Sequence, residues 1–203
     1  MTRRVRRTPE QARHLILEAA EALLIEGGPR AVEVRAVAQR IGMTDAGVTH
    51  HFHSRDSLLV ALLTHGGRRL RRAVEAASSR WLTGVASVAE LVESIAAVYA
   101  DGYGELAIAL HAAGWRHEGQ GMLEPVVDVL HAARRRTGGR PPRRVETRLA
   151  VAALHQALAT DPVYGAAFRK SAGIGDPAAG DPRAQRRWWA AMLASVLDIP
   201  ADQ

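Results

Sequence analysis

The sequence predicts an all-α fold, with a small N-terminal helix-turn-helix domain joined by a long helix to a larger C-terminal helical domain. Apolar residues recur at helical spacing through most of the 203 residues, and no stretch alternates apolar and polar residues for long enough to indicate a strand. The segment 32–63 contains two short helices, a tight turn and the beginning of a third helix. We therefore expect a first domain at residues 1–54 and a second domain at residues 55–203.

The first helix begins with a capping signature. Thr8 can cap the helix, Pro9 suits the first helical position, and Gln11 completes a capping box. The sequence Gly27-Gly28-Pro29 predicts the end of this helix. The arm that precedes it is strongly basic and could either enter a minor groove or remain a solvated tail; its arginines are Arg3, Arg4, Arg6 and Arg7.

The next two short helices have the spacing of a helix-turn-helix. Ala38 is the small residue that two steeply crossing helices need at their closest approach, and Gly42 can adopt the left-handed conformation of the turn. Val48 is the apolar residue through which the second of these helices packs on the first. Thr44 is the expected cap of that second helix, and Ser54 is the expected cap of the long helix. This geometry leaves the second short helix at the surface, where it can enter a DNA major groove.

Beyond the long helix, which should reach about residue 80, the pattern stays helical but is less distinctive. Two loops rich in glycine and proline interrupt it, at residues 137–142 and 171–182. The chain has no cysteine, which excludes disulfides and thiolate chemistry. The predicted helices cover residues 85–100, 105–115, 122–136, 143–168 and 182–197.

Positive charge is concentrated in one part of the chain. Residues 1–72 carry thirteen arginines and seven acidic residues, whereas basic and acidic residues balance in 73–203, so the whole formal charge of +6 lies in the helix-turn-helix segment. A basic domain beside a neutral one is typical of a nucleic-acid-binding protein with a separate second module. A general preference for arginine, since Lys170 is the only lysine, explains the residue type but not the asymmetry.

The end of the second short helix has a distinctive sequence. Residues 48–58 read VTHHFHSRDSL, in which a His-Phe pair precedes a serine, a basic residue, an acidic residue and a leucine. With this segment and the order of the three helices, residues 8–63 resemble the DNA-binding domain of TetR-type transcriptional regulators. The family commonly has a tyrosine, often on a phosphate, where this chain has Thr49. A hydroxyl remains at this position, but its reach is shorter.

The resemblance implies that the second short helix contacts double-stranded DNA. Phe52 should be buried between this helix and the long helix. Ser54 and Arg55 should hold one phosphate at the start of the long helix, and Gly47 could either admit the DNA backbone closely or serve tight packing. The candidate DNA-binding residues are Arg35, Thr44, Asp45, Ala46, Gly47, Thr49, His50, His51, Ser54 and Arg55.

Three neighbouring histidines raise the alternative of a metal site. His50, His51 and His53 could bind Zn²⁺ or Ni²⁺ if their imidazoles converged. Adjacent positions on a helix point about 100° apart, so His50 and His51 cannot easily share one ion. The family pattern already explains His51. We therefore expect no metal and no cofactor.

The remainder of the chain resembles, in length and helical class only, the ligand-binding and dimerisation domain of the same family. A pocket there would take a small, mostly hydrophobic or aromatic effector. The family resemblance makes Gly66 and Gly67, which weaken the long helix by about 2 kcal/mol relative to alanine, candidates for a hinge; a local break without mechanical role is the alternative. The pocket candidates combine apolar area with a polar group: Tyr99, Tyr103, His111, Trp115, Met122 and His155.

The resemblance also implies a homodimer formed by the last two helices. Apolar stripes on both helices would supply the interface, and at least one of two adjacent tryptophans is expected there because aromatic residues are enriched at interfaces. The alternative is one buried tryptophan and one at the surface. The dimerisation candidates are Leu154, Leu158, Trp188, Trp189, Met192 and Val196.

These features together predict a cytoplasmic, ligand-responsive transcriptional regulator that binds a pseudo-palindromic operator, with a repressor as the favoured form. No apolar run approaches membrane-spanning length, so no membrane partner is expected. One alternative is a small all-helical enzyme, which the lack of a convergent catalytic motif disfavours. The others are an effector-free DNA-binding protein and an activator.

Overall fold

The computed structural model describes residues 8–82, 87–116, 123–136 and 142–199, and its fold is all-α as predicted. The basic arm and Met122 lie outside the described residues. The helices are α1 (Pro9–Ala31), α2 (Val34–Ile41), α3 (Asp45–Phe52), α4 (Arg55–Leu82), α5 (Val88–Val98), α6 (Gly104–Ala112), α7 (Glu124–Arg134), α8 (Arg144–Thr160), α9 (Ala166–Ser171) and α10 (Arg183–Leu197).

Helix α1 has the predicted beginning and end. The hydroxyl of Thr8 accepts a hydrogen bond from the backbone of Gln11, whose side chain accepts one from the backbone of Thr8, completing the capping box. Regular helical geometry stops at Gly27 and Gly28, and Gly28 has a φ of +68°. A last turn through Pro29 follows this break, so the glycine pair redirects the chain toward α2.

Two predicted helices are shorter than the sequence indicated. The segment 85–100 gives way to a π-helical turn at Tyr99–Tyr103, in which Gly102 has a φ of +90°. The segment 143–168 is divided by a second π-helical turn, Asp161–Gly165, into α8 and α9. Pro162 lies in this second turn, and proline has no N–H to continue the α-helical hydrogen bonds.

The described chain forms two compact units. The N-terminal unit contains α1, α2, α3, the first part of α4 up to Gly66, and also residues 101–115 with α6. The C-terminal unit contains residues 67–100 and the chain from residue 116 onward. The N-terminal unit thus extends beyond the segment 1–54 that the sequence predicted as the first domain, because α6 packs on α1.

Each unit has its own apolar core. The fully buried side chains of the N-terminal unit include Ile16, Leu24, Val37, Val48, Leu58, Leu62 and Leu106. Those of the C-terminal unit include Val92, Leu130, Leu158 and Leu197, contributed by α5, α7, α8 and α10. No helix in the described ranges is both long and apolar enough to cross a membrane.

Candidate nucleic-acid interface

Helices α2 and α3 form the predicted helix-turn-helix. Ala38 and Val48 are completely buried, as expected for the residues at which the two helices meet. Gly42 ends α2 in the left-handed conformation with a φ of +64°. The backbone N–H of Met43 then donates to the carbonyl of Ala38 at 2.9 Å, which closes the turn.

Helix α3 has one buried face and one exposed face. Val48 and Phe52 point into the core, and the side chains on the opposite face are exposed: Asp45, Ala46, Thr49 and His50. Polar side chains presented together on a rigid, exposed helix can reach base edges or phosphates in a major groove. The structure therefore brings most of the predicted DNA-binding residues together, and their contacts with DNA stay a prediction.

The first turn of α3 is capped and closely packed. Thr44 caps the helix, its hydroxyl oxygen accepting from the backbone N–H of Gly47 at 3.1 Å. A Cβ at Gly47 would lie 3.1 Å from the Met43 side chain and 3.2 Å from the Thr44 hydroxyl. Local packing thus supplies one reason for glycine at this position, and the Thr44 hydroxyl hydrogen remains available to a phosphate.

The end of α3 is held on α1 by Arg13, a contact that the sequence did not reveal. The Arg13 guanidinium lies 4.3 Å from the centre of the Phe52 ring, within the range of a cation–π contact. One of its nitrogens also donates to the backbone carbonyl of His51. Phe52 is only 3% exposed, which confirms its predicted burial. Arg13 therefore fixes the orientation of the helix that would enter the groove.

Arg55 has an internal role in the structure. Its Nη2 donates to the carbonyl of Pro29 at 2.8 Å, and its Nε donates to the carbonyl of Val32 at 2.9 Å. The same Nε lies 2.8 Å from a carboxylate oxygen of Glu33. Arg55 thus joins the start of α4 to the segment between α1 and α2. A phosphate contact of Arg55 stays a prediction, and an alanine variant would disturb the fold of this unit as well.

Three further polar side chains at this surface differ in whether the fold already engages them. Arg35 is exposed on α2 and makes no side-chain hydrogen bond or ion pair with the described part of the chain, whereas Arg40 forms a 2.7 Å ion pair with Glu26. Ser54 caps α4 by accepting from the backbone of Ser57 at 3.1 Å. Within the described residues of this unit, the guanidinium of Arg35 is therefore left uncommitted by the fold.

The three neighbouring histidines near the end of α3 are not arranged around a common point. His50 and His51 meet edge to face with ring centres 5.4 Å apart. Burial, followed by the nearby His50 and Arg13, lowers the pKa of His51 below its ordinary value. Among the residues that the structure describes, no group of three histidine, cysteine or acidic side chains is placed to hold a metal ion.

The sequence of this unit matches a known family. Residues 16–62 match the family model described as bacterial regulatory proteins, tetR family. Residues 16–62 are a TetR-type DNA-binding domain. Proteins of this family are DNA-binding transcription factors and not enzymes, which disfavours the alternative of a small helical enzyme.

Curated relatives match only part of this chain. An HTH-type transcriptional repressor of Mycobacterium tuberculosis, Rv3405c, is 38% identical over 63 residues, which cover 31% of this chain and 34% of the relative. An HTH-type transcriptional regulator of Mycobacterium bovis, Mb3439c, matches with the same identity and coverage. The match thus spans about a third of the length of these relatives.

Solved structures resemble nearly the whole chain in fold. A protein of unknown function from Rhodococcus sp. RHA1 has a TM-score of 0.58 at 19% identity, covering 98% of both chains. A structure solved to explain the control of antibiotic production by bacterial hormones has a TM-score of 0.57 at 22% identity, covering 95% of this chain and 98% of the other. At these identities the likeness shows a shared fold.

Outside the TetR-type domain, the predicted pocket residues do not come together in one unit. Tyr99 and His155 belong to the C-terminal unit, where the Tyr99 hydroxyl lies 2.7 Å from Nδ1 of His155. Burial raises the pKa of Tyr99 and lowers the pKa of His155, so both groups are neutral near pH 7. The other described candidates belong to the N-terminal unit, where Tyr103 is buried, Trp115 half-buried and His111 exposed.

The dimerisation candidates also divide into two groups. Leu154 and Leu158 are buried in the core of the C-terminal unit, so they are not available to a partner and this part of the prediction needs correction. Trp189 is half-buried. The remaining three, on α10, are exposed: Trp188 (58%), Met192 (37%) and Val196 (62%). Leu149 on α8 is 66% exposed, so the exposed stripe of α8 is the one that carries Leu149.

The glycine pair of α4 lies in an unbroken helix. Helical structure continues through Gly66 and Gly67, so the chain has no local break there. A Cβ at Gly66 would come within 2.2 Å of the Tyr103 ring, which gives this glycine a packing role. The hinge stays a prediction.

Proposed function

We propose that this protein is a dimeric transcriptional repressor that binds a pseudo-palindromic DNA operator and is released by a small, mostly hydrophobic effector. The observation that carries the proposal is the exposed polar face of α3, held in place by Gly42, Thr44 and Arg13. A site that reads DNA needs this rigidity, because bound side chains must meet base edges in a fixed geometry. Such a regulator would act in the cytoplasm.

The repressor assignment is supported by a relative. A Mycobacterium tuberculosis protein that is similar to this chain over 63 residues is named an HTH-type transcriptional repressor. A protein that occupies an operator can repress by occluding it, without further enzymatic or protein-binding machinery. We therefore propose repression as the sign of regulation for this chain.

The dimer is supported by the exposed apolar residues of α8 and α10. Leu149, Trp188 and Val196 are each more than half exposed, which is costly for side chains of this size in water. Covering them with a second copy would remove apolar area from water. A two-fold dimer would also place two α3 helices on successive major grooves, about 34–36 Å apart.

Effector response is supported by the chain's organisation. The Tyr99–His155 pair is a buried polar contact in the C-terminal unit and could orient a ligand. Only a few residues farther along the chain, Tyr103 and α6 pack within the N-terminal unit that contains α3. A ligand that displaces Tyr99 would therefore pull on a segment fixed to the TetR-type domain.

The proposal is tested by fluorescence anisotropy of the full-length protein on the intergenic DNA next to its own gene, at several salt concentrations. We expect tight binding that weakens steeply with salt, because arginine–phosphate contacts release counterions. Arg35→Ala should weaken binding and reduce the log–log salt slope by about 1. The matched control is Arg187→Ala, which removes an exposed arginine of α10.

Two outcomes would count against the proposal. Binding that stays at the level of unrelated DNA, in both this assay and a selection of bound genomic fragments, would contradict operator recognition. Equal losses in the Arg35→Ala and Arg187→Ala variants would show that attraction depends on overall charge and not on the surface around α3.

A further inference from the structure

A groove of about 420 Å³ lies in the C-terminal unit, at the end of α8. Its apolar walls are Trp189, Phe168 and Ile174, and the small residues Ala153 and Ala157 widen it. This volume falls within the range of about 300–1,000 Å³ that is typical of small-molecule sites. The groove is separate from the Tyr99–His155 pair, so the proposed function does not account for it.

The groove contains a buried charged side chain. Arg169 lines the groove, and its side chain is only 8% exposed. Its Nη1 donates to Oδ1 of Asp161 at 2.6 Å, and its Nε donates to the carbonyl of Ala179 at 2.7 Å. These two bonds fix the guanidinium in one orientation, as binding sites require of their polar groups.

The local backbone is shaped around this ion pair. The π-helical turn that follows α8 begins at Asp161 and ends at Gly165. A Cβ at Gly165 would lie 1.9 Å from Oδ1 of Asp161 and 2.9 Å from Nη1 of Arg169, so only glycine leaves room for the pair. π-Helical turns occur frequently at functional sites.

One nitrogen of the Arg169 guanidinium is not engaged by the fold. Its Nη2 has no hydrogen-bond partner among the residues that the structure describes, although the other donor atoms of the guanidinium are engaged. Nη2 is not fully enclosed by the described residues, and Arg169 lines the groove. A nearly buried guanidinium donor favours an acceptor oxygen, since leaving it unpaired is costly.

We propose that this groove binds a flat aromatic molecule that carries a carboxylate or carbonyl oxygen. The ring lies against Trp189 and Phe168, where aromatic faces and edges attract each other beyond the burial of area. The oxygen accepts a hydrogen bond from Nη2 of Arg169. Asp161 balances the charge of the guanidinium, so the site is selective for an acceptor oxygen and not for negative charge in general.

The test uses isothermal titration calorimetry on the full-length protein with two probes that share one ring system. The probes are 2-naphthoate, which has acceptor oxygens, and 2-naphthylmethylammonium, which has only donors. We expect 2-naphthoate to bind at one site per chain and the ammonium probe to bind at least tenfold more weakly. Absence of 2-naphthoate binding, or equal affinities of the two probes, would overturn the proposal.

A matched pair of aromatic variants locates the binding site. Phe168 lines the groove, whereas Tyr164 does not. The centres of the two rings are 6.0 Å apart, and both side chains are exposed. Phe168→Ala should weaken 2-naphthoate binding at least fivefold, and Tyr164→Ala should leave it unchanged. Equal effects of the two variants would overturn the proposal, because binding would then be a general property of exposed aromatic residues.

A second pair separates the groove from the proposed dimer interface. Trp189→Phe should weaken 2-naphthoate binding, whereas Trp188→Phe should leave this binding unchanged and weaken the dimer. The double variant Asp161→Asn/Arg169→Gln should abolish the preference for 2-naphthoate over the ammonium probe. If Phe168→Ala instead dissociates the dimer in sedimentation experiments and leaves 2-naphthoate binding intact, the groove belongs to a second copy of the chain, and the proposal is wrong.

Discussion

The hydroxyl of Tyr103 donates a 2.7 Å hydrogen bond to Oε1 of Glu21 and so joins the turn before α6 to the middle of α1. His65 of α4 lies on the other side of the same carboxylate, 3.6 Å from Oε2. Tyr103 is only 2% exposed, and its ring packs against Gly66. Three segments that are distant in sequence thus meet at one carboxylate in the N-terminal unit.

Tyr103→Phe should therefore destabilise the N-terminal unit. The variant keeps the ring but removes the hydrogen bond to a half-buried carboxylate, at an expected cost of about 1–2 kcal/mol. Urea unfolding measures this loss. Tyr164→Phe is the control, because the side chain of Tyr164 is 43% exposed. A loss of equal size in the control would argue against a specific role for the Glu21 contact.

Gly66→Ala should be destabilising, although alanine favours helices more than glycine does. The added methyl group would lie 2.2 Å from the Tyr103 ring, and overpacking of this kind costs about 1–3 kcal/mol. The measurement is a double-mutant cycle with Tyr103→Ala, in which the glycine substitution should lose its penalty. Additive effects would contradict the proposed packing role of Gly66.

Arg55→Ala should lower the stability of the protein, whereas Arg35→Ala should weaken its binding to DNA. Removing Arg55 leaves two carbonyls and Glu33 without their partner, so we expect a loss of about 1–3 kcal/mol in the free energy of unfolding. Removing the exposed Arg35 should leave stability unchanged and weaken DNA binding only. Thermal unfolding and DNA anisotropy on the same samples separate the two roles. A destabilised Arg35→Ala variant would refute this division.

The C-terminal unit should lose stability in mild acid because of His155. Burial lowers the pKa of this imidazole from its ordinary value of 6.5, so the unfolded chain binds a proton more readily than the folded chain does. The stability that it contributes is present above pH 6.5 and is lost as the pH falls from there through the folded pKa. Unfolding measured between pH 7.5 and about 5 should show this loss, and His155→Gln should reduce it.

Leu149→Glu should dissociate the proposed dimer. The substitution places a charge on the exposed apolar face of α8, where a partner would have to desolvate it. Sedimentation velocity should show a monomer with an unchanged circular dichroism spectrum. Ile25→Glu is the control, because Ile25 is also exposed (51%) but belongs to the N-terminal unit. A monomeric wild-type protein would contradict the dimer itself.

The features that sequence predicted well depend on neighbouring residues. The capping box of Thr8, the left-handed Gly42 and the cap at Thr44 each act within one turn of the chain, so the residue types alone indicate the conformation. The burial of Phe52 was expected from the family resemblance. These signals were sufficient for the all-α fold and for the exposed face of α3.

The features that sequence missed depend on contacts between distant segments. Nothing local indicates that Arg55 would reach the carbonyl of Pro29, or that Arg13 would cover Phe52. Helix α8 carries apolar residues on two faces, so periodicity could not decide whether Leu149 or Leu154 faces the core. The sequence likewise did not indicate that residues 101–115, which include three of the predicted pocket residues, belong to the N-terminal unit.

The N-terminal unit consists of two separate segments of the chain, so it cannot be transferred to another protein as one continuous piece. A chimaera that grafts residues 8–66 onto a foreign sensor would leave out α6, whose Leu106 is completely buried in that unit. The graft would expose apolar surface around Leu24 and leave Glu21 without the Tyr103 hydroxyl. A portable DNA-binding module must therefore include residues 101–115 as a second segment, although residues 67–100, which separate the two segments in the sequence, belong to the other unit.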